Sequence, residues 1–194
     1  MNYPTYVLID NERYDINTDF RIAIKCNEVA QDDTISDYER ALAIVYLLFG
    51  DKGLKCKHRD KLLEYGIKFM LCGEEPTPGN SNEKPDMDYV EDYDYIVASF
   101  LSDFNIDLDT TNMHWYKFNK LMNGLSNSEM GNCCVLNRIR NLRNYDLKDI
   151  TDPKERQKIK KAQEQVALKK NKVHLTKEQE ESERLFFKQI RGGE

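Results

Sequence analysis

The feature that most constrains the fold is a run of apolar side chains at helical spacing between residues 88 and 118. Aromatic and aliphatic residues recur there every three or four positions, as at Tyr93, Phe100, Trp115 and Phe118. This period predicts two amphipathic helices, because side chains three and four apart lie on one face of an α-helix. Large aromatic residues at this spacing are usually buried, so we expect these four to belong to the core.

The rest of the chain predicts a small hairpin and more helices. Residues 5–9 and 14–16 flank a polar four-residue turn, which is typical of a β-hairpin. Ser36 and Glu39 have the spacing of a capping box, and the apolar run 41–49 behind them predicts a central buried helix that ends at Gly50. Other helices are predicted at 20–30, at 58–72, from 87, from 115, from a second box pattern at 126–129 to 143, and from 153.

The fold class that follows is mainly α, with a small N-terminal β-hairpin followed by a multi-helix bundle and a polar C-terminal helical tail. We expect a body at residues 1–150 that contains a flexible linker at 73–86, where three of the five prolines lie. We expect residues 151–194 to form a basic helical C-terminal segment. The body has 17 Lys and Arg against 26 Asp and Glu, a net charge of −9, whereas the last segment has 12 against 8, a net charge of +4.

Composition and motifs argue against several classes of protein. The longest apolar run, 41–49, is far below the roughly 18 residues of a membrane span. Five cysteines without a CxxC motif form neither a disulfide framework nor a zinc site, and a reducing cytosol suits them. Residues 103–109 alternate oxygen donors as a calcium loop does, but Leu108 occupies the glycine position and His114 replaces the final glutamate. No nucleophile motif or phosphate loop is present, so we expect no metal, no cofactor and no enzymatic activity.

Two features indicate binding to another protein. Acidic residues cluster where the helix from residue 87 begins, and they form either a solvated face matched to the helix dipole or a surface for a basic partner. Tyr95 and Tyr116 lie off the apolar stripes, where an amphipathic ring suits an interface. The predicted partner-binding residues are Asp88, Glu91, Asp92, Tyr95 and Tyr116. The basic segment, Lys154 to Lys172, is either solvated or binds a polyanion, an acidic partner or a neighbouring copy, although an acidic body disfavours nucleic acid.

Several blocks of the sequence together resemble the gp-fifteen family of long-tailed phages (siphoviruses) and prophages of Gram-positive bacteria. The resemblance covers about residues 5–168, and its most specific part is the His-Trp-x-x-Phe block at 114–118. The other blocks are Asp19-Phe20-Arg21, Leu47-Leu48-Phe49-Gly50, the acidic Pro-containing linker, Asp92-x-Asp94-Tyr95-Ile96-x-Ala98-x-Phe100, Ile106-Asp107-Leu108, Leu121-x-x-Gly124-Leu125, Ile139-Arg140 and Asp146-Leu147.

The resemblance implies a function, because genes of this family usually lie between those of the major tail protein and the tape-measure protein. It implies a non-catalytic tail assembly chaperone that masks or organises the tape measure, made in the host cytoplasm and absent from the mature virion. The helices at 87–104 and from 115 would supply the binding groove, with Trp115 and Phe118 forming its floor or, as we favour, supporting it from the core. The major tail protein and a second copy are further expected partners. The alternatives are a structural tail or neck component retained in the virion and a nucleic-acid-binding regulator.

Overall fold

The computed structural model describes residues 3–74, 85–127 and 133–169, and in these ranges the chain is mainly α-helical, as predicted. Within these ranges, a two-stranded antiparallel hairpin precedes seven α-helices. The elements are β1 (Tyr6–Ile9), β2 (Glu12–Asp15), α1 (Phe20–Ala30), α2 (Asp37–Leu54), α3 (Arg59–Met70), α4 (Tyr93–Phe104), α5 (Trp115–Asn123), α6 (Val135–Asn144), a short 3-10 helix (Leu147–Asp149) and α7 (Pro153–Val166).

The hairpin turns on two residues, which makes it tighter than the four-residue turn expected from sequence. Asp10 and Asn11 both adopt positive φ, at 50° and 66°. Turns with two positive φ angles match the right-handed twist of the strands, and Asp and Asn tolerate that conformation better than most residues. Val7 lies opposite Tyr14 in the register, and both side chains are buried beneath the hairpin.

Side-chain caps mark the starts of α1, α2, α5, α6 and α7, and the box predicted at Ser36 and Glu39 is confirmed. Both hydrogen bonds of the Ser36 and Glu39 capping box are present, and Asp152 accepts from the Lys154 N–H one residue after the start of α7. The box predicted at residues 126–129 is wrong as the start of α6, which begins at Val135 with Cys134 as its cap. The Ser126 N–H donates instead to an Asp103 carboxylate oxygen, which holds Ser126 to the end of α4.

The helix α2 is not the central buried helix that its apolar run predicted. Val45 and Leu48 are buried on one side, but Tyr46 is 52% exposed on the other. Gly50 does not end the helix; it interrupts α2 with φ 63° and ψ −160°, and a further helical stretch runs to Leu54. The Leu48 carbonyl in this interrupted region accepts a hydrogen bond from the Asn17 N–H at 2.8 Å, which joins α2 to the connection between β2 and α1.

The helix α4 starts later than the expected position near residue 87. Its first residue is Tyr93, because the Asp88 side chain accepts hydrogen bonds from the Val90 and Glu91 N–H groups and forms a local turn. Most of the predicted linker, residues 75–84, lies outside the described ranges. Its last residue, Asp86, is fixed to the body by an ion pair with Arg140 at 2.9 Å.

The core is centred on stacked aromatic rings from three helices. Phe118 of α5 stacks on Phe20 of α1 and on Phe100 of α4, with ring centroids 4.7 and 5.2 Å apart. Trp115 is buried, and its indole N–H donates to the Met70 carbonyl at 2.9 Å, so this polar group is satisfied in the core. Of the four residues expected to be buried, Tyr93 is only half-buried, with its hydroxyl 3.5 Å from Asp109.

The helix α7 packs on α6 and so continues the body beyond residue 150. Gln163 donates to the carbonyls of Leu142 and Tyr145, at 3.0 and 2.8 Å, where α6 ends. Leu168, just after α7, is 1% exposed. Independent behaviour of 151–194 stays a prediction, but residues 153–168 share contacts with the body. Within the described ranges, no helix is long and apolar enough to cross a membrane.

Candidate partner-binding site

The acidic cluster before α4 is not the free surface expected from the sequence. Asp92 is 1% exposed, and its two oxygens accept hydrogen bonds from the two terminal nitrogens of Arg143, both at 2.7 Å. One Asp92 oxygen also accepts from the Asp88 N–H at 3.0 Å. The expectation that Asp92 lies on an exposed face is therefore wrong, because Arg143 of α6 covers it within the fold, and its binding to a partner stays a prediction.

Arg143 joins four parts of the chain at this point. Besides Asp92, it donates to the Asp86 carbonyl at 2.8 Å and to the Val166 carbonyl at 2.7 Å. The hydrogen-bonded Asp92 carboxylate raises the pKa of Arg143 above its ordinary value. An arginine suits such a junction because its planar group offers five donors in fixed directions. The segment before α4, the N-cap residue of α4, α6 and the end of α7 thus share one buried charged contact.

The neighbouring acids are also engaged within the chain. Glu91 is exposed, and its carboxylate accepts from the Lys169 N–H at 2.9 Å. Asp88 is half-buried and accepts from two backbone N–H groups in the turn. Both line a cavity of about 190 Å³ between this turn and α1. Their carboxylates therefore organise the backbone, and of the three predicted acids only Glu91 is largely accessible.

The two predicted interface tyrosines lie in different surroundings. Tyr95 is half-buried on α4, near Arg143, where it makes a minor contribution to the raised pKa of that guanidinium, after the hydrogen bond to Asp92. Tyr116 belongs to an aromatic cluster in which its ring lies 5.3 Å from Phe69 and 5.9 Å from Tyr3. Burial in this cluster raises the pKa of Tyr116 to about 12. Each ring packs against the core, so only part of its surface is accessible to another molecule.

A groove between α2 and the start of α1 has the properties that the predicted site lacks. It is an open groove of about 570 Å³, and most of its lining is apolar or backbone. Tyr46 is the most exposed aromatic residue in it, with Ile22 and Leu47 half-buried beside it. The complete lining is Asp15, Ile16, Asn17, Ile22, Tyr46, Leu47, Leu48, Phe49, Gly50 and Asp51.

The charges on this groove are acidic. Asp15 and Asp51 line it and are exposed, and Asp15 is paired with Arg13 at 2.7 Å. An apolar surface with carboxylates beside it suits an amphipathic segment that carries basic residues next to its apolar stripe. Sequence reasoning missed the groove because the run 41–49 seemed apolar on every side. The available signal was Tyr46, whose polar ring edge suits a position at the boundary with water.

Two of the blocks that carry the family resemblance, at residues 19–21 and 114–118, meet in the core, whereas the block Leu47-Leu48-Phe49-Gly50 lines the groove. Asp19 and His114 form an isolated β-bridge, and Phe20 stacks on Phe118. His114 accepts from the Tyr116 N–H through Nδ1 and lies 2.9 Å from the Pro4 carbonyl through Nε2, so Nε2 carries the hydrogen. These residues fix the start of α1 against the start of α5, which is a structural role.

The described residues offer few groups for other chemistry. They contain no group of three or more His, Cys, Asp or Glu placed to hold a metal ion. The five cysteines are free thiols, and burial raises the pKa of Cys26 to about 12. The basic residues Lys154, Lys158 and Lys161 follow one exposed face of α7 at spacings of four and three. Such a stripe is compatible with a solvated helix or with contact to an anion.

Comparison with known proteins gives one match. The model of the family described as Bacteriophage Gp15 protein matches residues 3–168 of this chain. This range includes every element described above, from β1 to Leu168. Comparisons with curated proteins and with solved structures gave no match.

Proposed function

The chain belongs to the Bacteriophage Gp15 protein family, and we propose that it is a non-catalytic tail assembly chaperone that binds the tape-measure protein. A tape-measure protein is a long helical chain whose apolar stripes need cover until the tail tube surrounds it. A helical protein with an open apolar groove suits that task, because an amphipathic helix lays its apolar face into such a groove. We place this activity in the host cytoplasm, with the protein absent from the mature virion.

The observation that carries the proposal is the groove beside Tyr46. It provides apolar contact area, whereas most of the other aromatic rings in the described residues are at least partly buried. Asp51 at its edge makes no hydrogen bond or ion pair through its side chain to the described residues. Interface hot spots are commonly aromatic residues set in such apolar surroundings. The site proposed here therefore lies on α2, whereas the sequence had indicated α4 and α5.

The test compares two tyrosines of the same helix. Tyr46→Lys places a charge in the groove, while Tyr38→Lys makes the same change at a residue that is 66% exposed and does not line the groove. The tape-measure protein of the same phage genome is co-expressed with the tagged chain and recovered by pull-down. We expect Tyr46→Lys to weaken binding by roughly thirtyfold, the effect of a 2 kcal/mol hot spot, and Tyr38→Lys to leave it within about threefold.

Two further measurements separate the alternatives. Glu91→Lys changes the accessible acid of the surface first predicted from sequence, so loss of binding in that variant alone would move the site back to the start of α4. Mass spectrometry of purified virions distinguishes a chaperone from a structural tail or neck component, since only the latter is retained. Recovery of the tape measure by neither the wild type nor any variant would contradict the proposal.

A further inference from the structure

The strand β1 has an edge that pairs with no other strand in the described part of the chain. The sheet has two strands, so β1 is bonded to β2 on one side only. The Ile16 N–H donates to the Thr5 carbonyl at 2.8 Å, which makes that pair the hydrogen-bonded kind. Because pairs alternate along an antiparallel ladder, Val7 also bonds towards β2, while the backbone groups of Tyr6 and Leu8 point to the open edge.

This edge lacks the charged residues and prolines that commonly protect an exposed strand against pairing. Leu8 is 57% exposed and Tyr6 is 44% exposed, both on the outer face of the hairpin. No charged residue or proline lies in residues 5–9, although charged residues make up 32% of the chain. Soluble proteins commonly place lysine or proline on exposed edge strands to prevent association. An uncharged edge with two exposed apolar side chains therefore suits the addition of a strand.

We propose that β1 pairs in antiparallel orientation with β1 of a second copy of this chain, forming a four-stranded sheet across a two-fold axis at Val7. In this register Tyr6 of each copy lies opposite Leu8 of the other. The two residues exchange both backbone hydrogen bonds, so all outward N–H and C=O groups of Tyr6 and Leu8 are satisfied in four bonds. Their side chains meet on the outer face and cover each other.

The surroundings of the edge are also self-complementary. Arg13 lies opposite Leu8 and Asp15 lies opposite Tyr6 within the hairpin. Each of the two rows that pass through Tyr6 and Leu8 therefore begins with Arg13 of one copy and ends with Asp15 of the other, and no like charges face each other in them. A single strand pair buries less than the roughly 1,000 Å² of stable interfaces, so we expect a reversible dimer with a Kd on the order of 10–100 µM.

A pair of proline variants tests the edge directly. Leu8→Pro removes an N–H that faces the open edge of β1 and is not used inside the hairpin. Arg13→Pro is the matched control, because Arg13 lies directly opposite and its N–H faces the other edge, that of β2. The Arg13 guanidinium also lies 4.2 Å from the centroid of the Tyr6 ring, so Arg13→Ala is measured beside it to give the effect of losing that side chain alone. Sedimentation velocity over about 5–500 µM should show dimerisation of the wild type, equal dimerisation of Arg13→Pro and Arg13→Ala, and a monomer for Leu8→Pro, given the Kd expected for so small an interface.

The folded state of each variant is checked by its circular dichroism spectrum and melting temperature. Leu8→Lys serves as a second variant if proline unfolds the hairpin, because it changes only an exposed side chain and adds charge to the edge; it should weaken dimerisation at least tenfold. If the wild type stays monomeric at the highest concentration, the proposal is overturned. The same result is expected if the edge of β1 binds a strand of another protein and not a second copy of this chain. Dimerisation of both Leu8 variants at the wild-type level overturns it as well.

Discussion

The substitution Asp92→Ala should destabilise the protein far more than its position in an acidic cluster indicates. It removes a carboxylate that is 1% exposed and that accepts two hydrogen bonds from Arg143 at 2.7 Å. The arginine, whose side chain is 9% exposed, would remain as a buried cation held by backbone carbonyls alone. The Asp88 N–H would lose its acceptor as well. An uncompensated buried charge is the main source of the cost.

The expected loss is about 3–5 kcal/mol in the free energy of unfolding, which is the usual effect of removing one partner of a buried pair. Domains of this size are stable by about 5–15 kcal/mol, so the variant should lose a large share and melt roughly 10 °C lower. Urea unfolding followed by circular dichroism and by the fluorescence of Trp115, the only tryptophan, measures it with two independent probes. The exposed control, Glu91→Ala, should change stability by no more than about 0.5 kcal/mol.

A double-mutant cycle decides whether the pair itself is responsible. Arg143→Met keeps much of the apolar stem of the arginine and removes its charge, and it should cost a similar amount alone. The double variant Asp92→Ala with Arg143→Met contains no buried charge. Its loss of unfolding free energy should therefore be smaller than the sum of the two single losses, by about 2 kcal/mol or more. If Asp92→Ala costs less than about 1 kcal/mol, or if the two effects simply add, the contact is solvated and the reasoning is refuted.

Two other outcomes follow from the fold. Gly50→Ala should lower the free energy of unfolding by about 1–3 kcal/mol through backbone strain alone, because φ is +63° and ψ is −160° and an added Cβ would meet nothing within 4 Å. Chemical denaturation measures this loss. A neutral effect would mean that α2 can straighten at this residue. Truncation after Lys169 should leave cooperative unfolding intact. Truncation after Ile150 removes buried Leu168 and the Val166 carbonyl that Arg143 binds, so it should abolish or strongly weaken cooperative unfolding. Equal melting curves for the two truncated proteins would show that α7 contributes nothing to stability.

Much of the secondary structure followed from local sequence signals. A capping box needs only Ser36 and Glu39 at the right spacing, because its hydrogen bonds close within one turn of helix. The spacing of Phe100, Trp115 and Phe118 likewise identified buried residues without knowledge of their neighbours. The same reasoning failed where local signals compete. The pattern at Ser126 resembled a cap, yet its N–H is bound by Asp103, twenty-three residues earlier in the chain.

The candidate site depended on contacts that periodicity does not encode. Asp92 seemed to be an exposed acid because nothing nearby in sequence pairs with it, and its partner Arg143 lies 51 residues away. The reverse error occurred at Tyr46, where an apolar run indicated burial but no described element covers that face of α2. The sequence determines which side of a helix is apolar and where the helix begins. The tertiary structure decides which surfaces are covered, because burial depends on the packing of elements that are distant in the chain.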